Sequence, residues 1–239
     1  MIAAKTVRTS SGTVISNRVL LALPEEEFRI VRPRLSFVNF TSHLRLNQPN
    51  RVLNYVHFPN AGLISLVIEM KNGKSVEAGL LGKEGASGMS AMLGLNRTPI
   101  LEVVQIAGNG FRMRVSTLRD ALRSTPRLQA ALGRYSAGLA IQMAQTAACN
   151  RLHKVEERLA RWLLMAQDRV DSRFIRITHD FLATMLGTDR PTVTLAAGIL
   201  QKHGLVGHTR GALEIVNRKK LERVACECYG VVAEYNDIA

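Results

Sequence analysis

Six cationic side chains in the last part of the sequence could neutralise the phosphates of a nucleic acid. They are Arg190, Lys202, Arg210, Arg218, Lys219 and Lys220. The chain has a formal net charge of +13, but residues 151–239 carry 14 Lys and Arg against 11 Asp and Glu, whereas residues 1–150 carry 18 against 8. Because the rear half is the less basic one, affinity for DNA must come from where its cations are placed. The basic front half could add long-range steering, but we favour a solvated surface.

The stretch from Thr178 to Leu205 predicts two short helices that would position Arg190. Thr178 can cap the first helix, and Gly187 can end it by adopting a positive φ. Asp189 can cap the second helix. Apolar residues at helical spacing give each helix an inward face: Phe181, Leu182, Met185 and Leu186, then Val193, Ala196, Ala197 and Leu200. Two short helices joined by a glycine-containing turn are the helix-turn-helix pattern.

The segments that flank these helices make the pattern more specific. Leu205-Val206 and the segment 212–215 predict a β-hairpin wing, and the segment 174–177 alternates like a strand. A bare helix-turn-helix match is a weak signal because any two packed helices can mimic it. A strand, two helices and a wing in this order favour DNA binding over an ordinary α+β core.

A long helix is predicted from the capping residues Ser124-Thr125-Pro126 to about Asn150. One seam on it repeats alternately every four and three residues, which is typical of a coiled coil. We predict a homodimer through this seam; the alternative is that the helix packs on the chain's own front domain. The seam consists of Leu128, Leu132, Tyr135, Leu139, Gln142 and Thr146, with Cys149 at its end. Small residues that permit close approach of another backbone are Gly133, Ala137, Gly138, Ala140, Ala144, Ala147 and Ala148.

The front of the sequence alternates in short runs that predict a small β-barrel or sandwich. Predicted strands include segments 43–46, 52–58, 63–70 and 75–80, with a hairpin at Asn72-Gly73, and segments 101–107 and 111–115 around a turn at Gly108-Asn109-Gly110. The predicted fold class is therefore α+β. We expect a flexible tail at 1–17, a jelly-roll-like barrel domain at 18–124, a dimerisation helix and linker at 125–152, and a winged helix-turn-helix domain at 153–239.

Composition restricts the environment of the chain. With 239 residues and 46% hydrophobic content, it has ample material for a core. The longest apolar run, Ala61 to Ile68, is too short to cross a bilayer, so we expect no membrane association. Three cysteines in such a chain suggest reduced thiols and a cytoplasmic location.

A barrel, a seam helix and a winged helix-turn-helix, in this order, resemble the Crp/Fnr superfamily of bacterial transcription regulators. The matching residues are Ile177-Thr178, Gly187, Arg190, Thr192-Val193 and Gly204-Leu205. The resemblance implies a homodimer that binds double-stranded DNA, with RNA polymerase as a further partner. It also implies that Arg190 reaches a base edge, most simply O6 and N7 of guanine, while Thr192 holds a phosphate.

Two positions depart from the family pattern. The family commonly has an acid directly after the arginine and a basic residue further along, where this chain has Pro191 and Leu195. The departure puts the family's usual operator sequence in doubt but leaves the docking mode intact. Thr194 and Leu195 share the face of Arg190 and could contact a thymine methyl. The full set of predicted DNA contacts is Thr178, Arg190, Pro191, Thr192, Thr194, Leu195, Lys202 and Arg210.

A possible effector loop lies in the barrel. Members of the family that bind cyclic AMP supply a Gly-Glu pair and, about ten residues later, an arginine followed by serine or threonine. In this chain Met89 replaces the acid, and Arg97-Thr98 arrives early. We therefore favour a tight barrel turn over a cyclic-nucleotide site, and we expect no cofactor. The residues in question are Gly82, Gly85, Gly88, Arg97 and Thr98.

Other chemistry has weaker support in the sequence. Cys226 and Cys228 are too close together for a zinc ribbon, so we expect no metal; they are interpreted as buried or idle thiols, with redox sensing as the alternative. Cys149 could bridge two subunits under oxidation. No catalytic arrangement stands out, and no enzyme is predicted. Two rival hypotheses remain: a small-molecule-binding module whose winged domain contacts proteins, and a cupin-like enzyme with a DNA-binding appendage.

Overall fold

The computed structural model describes residues 12–209 and 211–236. A front half is built on an antiparallel sheet, and a rear half is built on helices. The front half comprises α1 (Arg18–Leu21), α2 (Glu25–Val31), β1 (Ser36–Phe40), β2 (Arg45–Asn47), β3 (Tyr55–Glu69), β4 (Ser75–Leu81), β5 (Ile100–Arg114), α3 (Val115–Leu122) and α4 (Pro126–Leu152). The rear half comprises α5 (Val155–Val170), β6 (Phe174–Ile175), α6 (His179–Leu186), α7 (Arg190–Lys202), β7 (Val206–Thr209), β8 (Ala212–Ile215), α8 (Arg218–Val224) and α9 (Cys228–Asn236).

The front sheet has the strand order β1-β5-β3-β4, with β2 paired to β5 outside this path. All these pairs are antiparallel. The predicted α+β class with a C-terminal winged helix-turn-helix is confirmed. The predicted barrel is not closed: among the described residues β1 and β4 remain at opposite edges of the sheet. Helices α5 and α6 of the rear half pack against β3 and β4, so other elements cover this part of the sheet.

Strands β3 and β5 are each 15 residues long, where the sequence suggests shorter strands separated by turns. The predicted turn at Gly108-Asn109-Gly110 is wrong: this segment pairs with both β1 and β3, and β3 bulges opposite it. A Cβ at Gly108 would lie 2.1 Å from the carbonyl oxygen of Ala61. Glycine is therefore needed here because two strands pass close to each other, not because the chain turns. The predicted Asn72-Gly73 hairpin is confirmed by the pairing of β3 with β4, with Gly73 at a φ of +80°.

The chain just before α1 is anchored to the sheet. The sequence assigns residues 1–17 to a flexible tail, and residues 1–11 lie outside the described part of the chain. Ile15, however, is buried in the front core. The Asn17 side-chain amide donates hydrogen bonds to the carbonyl oxygens of Pro59, at 2.9 Å, and Gly85, at 2.7 Å. These contacts fix the start of the first helix.

The apolar seam of α4 is covered by the chain itself. Leu128 and Leu132 are fully buried in the front core, together with Tyr135 and Leu139. Gln142 accepts a hydrogen bond from the Leu80 backbone N–H and donates one to the Leu80 carbonyl. The four-and-three spacing therefore marks the face that packs on the chain's own sheet, which is the alternative that the sequence left open. A partner subunit would have to use a different face of α4.

The opposite face of α4 is exposed and consists mainly of small residues. Its members recur at intervals of three and four, so they form one continuous stripe along the helix. The small-residue face comprises Ala130, Gly133, Ala137, Ala140, Ala144, Ala147 and Ala148. The flanking residues Arg151 and Leu152 are also exposed.

The two halves share one hydrophobic core. Leu63, Val67 and Leu80 of the sheet lie in the same buried cluster as Trp162 and Met185 of the rear half. Trp162 is completely buried and is the chain's only tryptophan. None of the helices in the described ranges has the length and apolar character that a membrane span requires.

Candidate DNA-binding interface

Local capping interactions define α6 and α7, the two helices of the predicted helix-turn-helix, which we call the reader helices. Thr178 Oγ1 accepts a hydrogen bond from the Phe181 backbone N–H, so it caps α6 as predicted. Gly187 ends that helix at a φ of +58°. The Asp189 carboxylate caps α7 by accepting from the Thr192 backbone N–H at 2.8 Å, and this bond lowers the pKa of Asp189. These caps fix the direction in which α7 leaves the turn.

One face of α7 is buried and the other faces solvent. Val193, Ala196, Ala197 and Leu200 pack inward as predicted. The exposed face carries predicted DNA contacts over its whole length: Arg190, Pro191, Thr194, Leu195 and Lys202. Leu195 is 66% exposed, so its side chain is available for an apolar contact on this face. Thr192, at the edge of this face, is half-buried.

Arg190 stands at the tip of α7 in an ion pair. Its Nη1 lies 3.2 Å from Oδ2 of Asp180, and both side chains are 65% exposed. An exposed ion pair of this kind contributes little to stability, so the guanidinium can leave it for a better acceptor. The arrangement holds the arginine on the exposed face without burying it.

A pair of histidines lies beside the exposed face of α7. His179 Nδ1 is 2.9 Å from Thr194 Oγ1, and the rings of His179 and His208 are 5.1 Å apart. Burial, followed by the nearby His208 and Arg190, lowers the pKa of His179. The Thr194 hydroxyl also donates to the Arg190 carbonyl at 3.0 Å, which leaves mainly its methyl group for a base.

The wing follows directly after α7. β7 and β8 form its hairpin, and β8 also pairs with β6, so the predicted order of strand, helices and wing is present. Gly211 turns the hairpin at a φ of +75°. Arg210, a predicted DNA contact in this turn, lies outside the described residues.

The predicted effector loop is packed by its own chain. The Gly82 N–H donates to Glu84 at 3.2 Å, and the Gly88 N–H donates to the buried carboxylate of Glu102 at 2.9 Å. A Cβ at Gly85 would lie 1.9 Å from the Tyr135 ring, so α4 sits directly on this loop. Of the remaining predicted residues, Arg97 is exposed and Thr98 is buried. The loop N–H groups that would cradle an anion are already used, which favours the tight-turn interpretation.

A buried carboxylate joins the two halves, a feature that sequence analysis did not identify. Glu77 on β4 accepts a hydrogen bond from the indole N–H of Trp162 on α5 at 2.8 Å and another from the Ser65 hydroxyl. Burial raises the pKa of Glu77 to about 7, although these hydrogen bonds and the nearby Arg161 act in the opposite direction. No local sequence signal announces this contact, because its partners are 85 residues apart.

Glu77→Gln is expected to change how stability depends on pH. The folded chain keeps the Glu77 proton up to about pH 7, whereas an unfolded glutamate loses it near 4.5. The contribution of Glu77 to the free energy of unfolding should therefore fall as the pH rises from about 4.5 to about 7, by on the order of 3 kcal/mol. Glu77→Gln should remove this fall, measured by urea unfolding at a series of pH values.

The informative quantity is the difference in the free energy of unfolding between the variant and the parent at each pH. His57 acts in the opposite direction, because burial lowers its pKa to about 4 and its contribution rises with pH. The exposed Glu26→Gln is a matched control that should leave the profile unchanged. A parent and a Glu77→Gln profile that run parallel would show that this carboxyl does not titrate in that window.

The rear half is a winged helix-turn-helix domain, a class whose second helix enters the major groove of DNA. Residues 157–224 match the sequence profile of the Crp-like helix-turn-helix domain. The amino-acid sequence matches no curated protein.

Solved structures with a similar architecture include transcriptional regulators. The c-di-GMP-responsive global regulator CLP of Xanthomonas campestris shares 13% identity over 81% of this chain and 100% of its own, with a TM-score of 0.67. FixK2 of Bradyrhizobium japonicum shares 15% identity over 80% and 98%, with a TM-score of 0.66. A CRP-family transcriptional regulator of Thermus thermophilus shares 17% identity over 79% and 96%, with a TM-score of 0.64. The chain has the Crp/Fnr regulator fold and carries a Crp-like helix-turn-helix domain.

Proposed function

We propose that this protein is a sequence-specific transcription regulator that binds a near-palindromic DNA site as a homodimer. The observation that carries the proposal is the exposed face of α7, which presents Arg190 and Leu195 on a helix fixed by caps and by a buried opposite face. The Crp-like domain and the regulator fold support it. In this role the protein would act in the cytoplasm, with RNA polymerase as a further partner and no catalytic activity.

The proposed contacts divide into base reading and phosphate binding. Arg190 would leave Asp180 and donate two hydrogen bonds to a guanine, and Leu195 would contact a thymine methyl. Thr178 and Thr192, at the starts of α6 and α7, would hold phosphates, where the helix dipole favours negative charge. Lys202, at the far end of α7, would add a phosphate contact, as would Arg210. Pro191 and Thr194 would make apolar contacts in the groove through their ring and methyl group.

The proposed dimer uses the small-residue face of α4. Alanines and a glycine spaced by three and four residues allow two helices to approach closely along their length. A second copy of the chain, related by a two-fold axis, would then present a second α7. Recognition helices in such dimers enter successive major grooves about 34 Å apart, so the site should contain two inverted half-sites.

Selection of bound fragments from random double-stranded DNA tests the proposal. Enrichment of a motif made of two inverted half-sites, with one guanine position that depends on Arg190, is the expected result. A salt titration of the selected site should show weakening as salt rises, because phosphate contacts release counterions. Equal affinity for every sequence, or no enrichment, would remove the sequence-specific regulator.

Ala144→Glu is expected to break the dimer. Two glutamates would meet across the two-fold axis, where only small side chains fit and like charges repel. Sedimentation should then show single subunits, and affinity for the full DNA site should fall by at least about 100-fold because the two half-sites are no longer bound together. Ala61→Glu, the same change at an exposed position of β3, is the control and should leave both properties intact. A dimeric Ala144→Glu protein would rule out this face.

A further inference from the structure

All three cysteines of the chain converge on one histidine. Cys149 lies in the last turn of α4, His153 follows the end of that helix, and Cys226 and Cys228 flank the start of α9. Their ligand atoms, three Sγ and one ring nitrogen, all lie within 4.8 Å of one another. The Cys149 and Cys226 sulfurs are 3.5 Å apart, and Cys228 Sγ is 3.5 Å from His153 Nδ1. Cys226 precedes the helix that Cys228 opens, so the two thiols do not diverge as they would on a single helix.

We propose that Cys149, His153, Cys226 and Cys228 bind one Zn²⁺ ion as a structural Cys₃His site. With Zn–S bonds of about 2.3 Å and a Zn–N bond of about 2.0 Å, a tetrahedral site of this type has edges of about 3.5–3.8 Å. Two of the observed separations already have this length. Small side-chain rotations close the remainder. The pairs Cys-x₃-His and Cys-x-Cys are 73 residues apart in sequence, and only the fold brings them together.

The surroundings of the four residues match a zinc site beyond the ligands themselves. His153 Nε2 lies 3.2 Å from the Glu227 carboxylate, which holds the ring with Nδ1 directed at Cys228. A carboxylate that fixes the second nitrogen of a ligand histidine is the usual support of a zinc ligand. The side-chain N–H of Gln145 also donates to Cys228 Sγ at 3.1 Å, as expected for a metal-bound thiolate.

Two buried arginines beside the cluster match the charge of the bound state. Arg158 and Arg161 are 6% and 2% exposed, and both are close enough to interact electrostatically with Cys149. Among the described residues, no hydrogen-bond partner reaches Nε and Nη2 of Arg158 or Nε of Arg161. Buried cations are costly when their charge is not compensated. Three thiolates around Zn²⁺ carry one net negative charge, which would offset part of the charge of these two arginines.

A disulfide explains the arrangement less well. A bond between Cys149 and Cys226 would bring their sulfurs to about 2.0 Å and leave Cys228 facing His153 without a role. The metal instead uses all four groups. It would tie the segment that begins α9 to the junction of α4 and α5. It would therefore fix the angle between α4 and the winged helix-turn-helix domain that follows it.

The experiment uses the full-length chain purified under reducing conditions. We expect about one equivalent of zinc by elemental analysis, and in the metal-free protein we expect Co²⁺ to give thiolate charge-transfer bands and the visible bands of a tetrahedral ion. Three thiols should react with a thiol reagent in the metal-free protein and be protected by Zn²⁺. These readouts need no variant, so a folding defect cannot obscure them.

Variants then assign the ligands. Cys228→Ser and His153→Gln should weaken Co²⁺ binding by at least roughly 100-fold, and Glu227→Gln should weaken it by about 10- to 100-fold. His203→Gln, an exposed histidine on the reader domain, is the matched control and should bind as the parent does. Absence of thiolate bands in the parent, unchanged binding by Cys228→Ser, or a Cys149–Cys226 disulfide that persists in the protein purified under reducing conditions would each overturn the site. None of these readouts depends on DNA binding.

Discussion

Arg190→Ala is expected to weaken binding to the selected DNA site by about 1–3 kcal/mol per half-site, or roughly 5- to 150-fold. The side chain lies at the tip of α7, is 65% exposed, and forms an exposed ion pair with Asp180. Because such a pair is weak, the guanidinium can leave Asp180 and turn to a base at little cost. Because alanine cannot donate hydrogen bonds to a guanine, the variant should also lose its preference at one base position in each half-site.

The measurement is a comparison of affinities for the selected site and for copies with each base replaced. Arg29→Ala, which removes a similarly exposed cation from α2 in the front half, is the control and should bind like the parent. If Arg190→Ala instead weakens binding to every sequence by the same factor, the arginine contacts phosphate and the reader of that base lies elsewhere on α7.

Trp162→Ala is expected to lower the free energy of unfolding by about 3–5 kcal/mol. The side chain is completely buried in the core that both halves share, and its indole N–H donates to Glu77. The substitution therefore leaves a large cavity and also removes one hydrogen bond from a buried carboxylate. Urea unfolding followed by circular dichroism measures the change, since the variant has lost the only tryptophan that fluorescence could follow.

A graded series separates the two causes. Trp162→Phe keeps most of the volume and removes the hydrogen bond, so it should cost about 1–3 kcal/mol. Combining it with Glu77→Gln measures the coupling between the two side chains. If the hydrogen bond matters, Trp162→Phe should cost clearly less in the Glu77→Gln background than in the parent. A loss below about 1 kcal/mol for Trp162→Ala would mean that the halves are not held together at this point.

The reader helices were predictable from the sequence because their signals are local. Thr178, Gly187 and Asp189 act within four residues of their own positions, and the structure shows each in its predicted role. The wing and the Asn72-Gly73 hairpin also depend on short-range turn chemistry. Such signals survive because no distant contact competes with them.

Long-range contacts account for what the sequence could not reveal. The segment at Gly108 has the composition of a turn, but pairing with two neighbouring strands keeps it extended. The spacing of the α4 seam shows that one face is buried, not what buries it, and the covering surface is the chain's own sheet. Likewise, nothing near Cys226 indicates that Cys149, 77 residues earlier, lies beside it.

The core shared by Leu63, Leu80 and Trp162 has a consequence for how a message could pass through the molecule. A flexible linker would let the winged helix-turn-helix domain move independently of the sheet, and a conformational change at one end would not be transmitted to the other. In this chain, apolar side chains of the sheet and of the rear half pack into one buried cluster, so we expect a displacement of the strands to move the rear half as a rigid unit. Cutting the chain between the front and rear halves would leave two pieces, each with an exposed apolar surface.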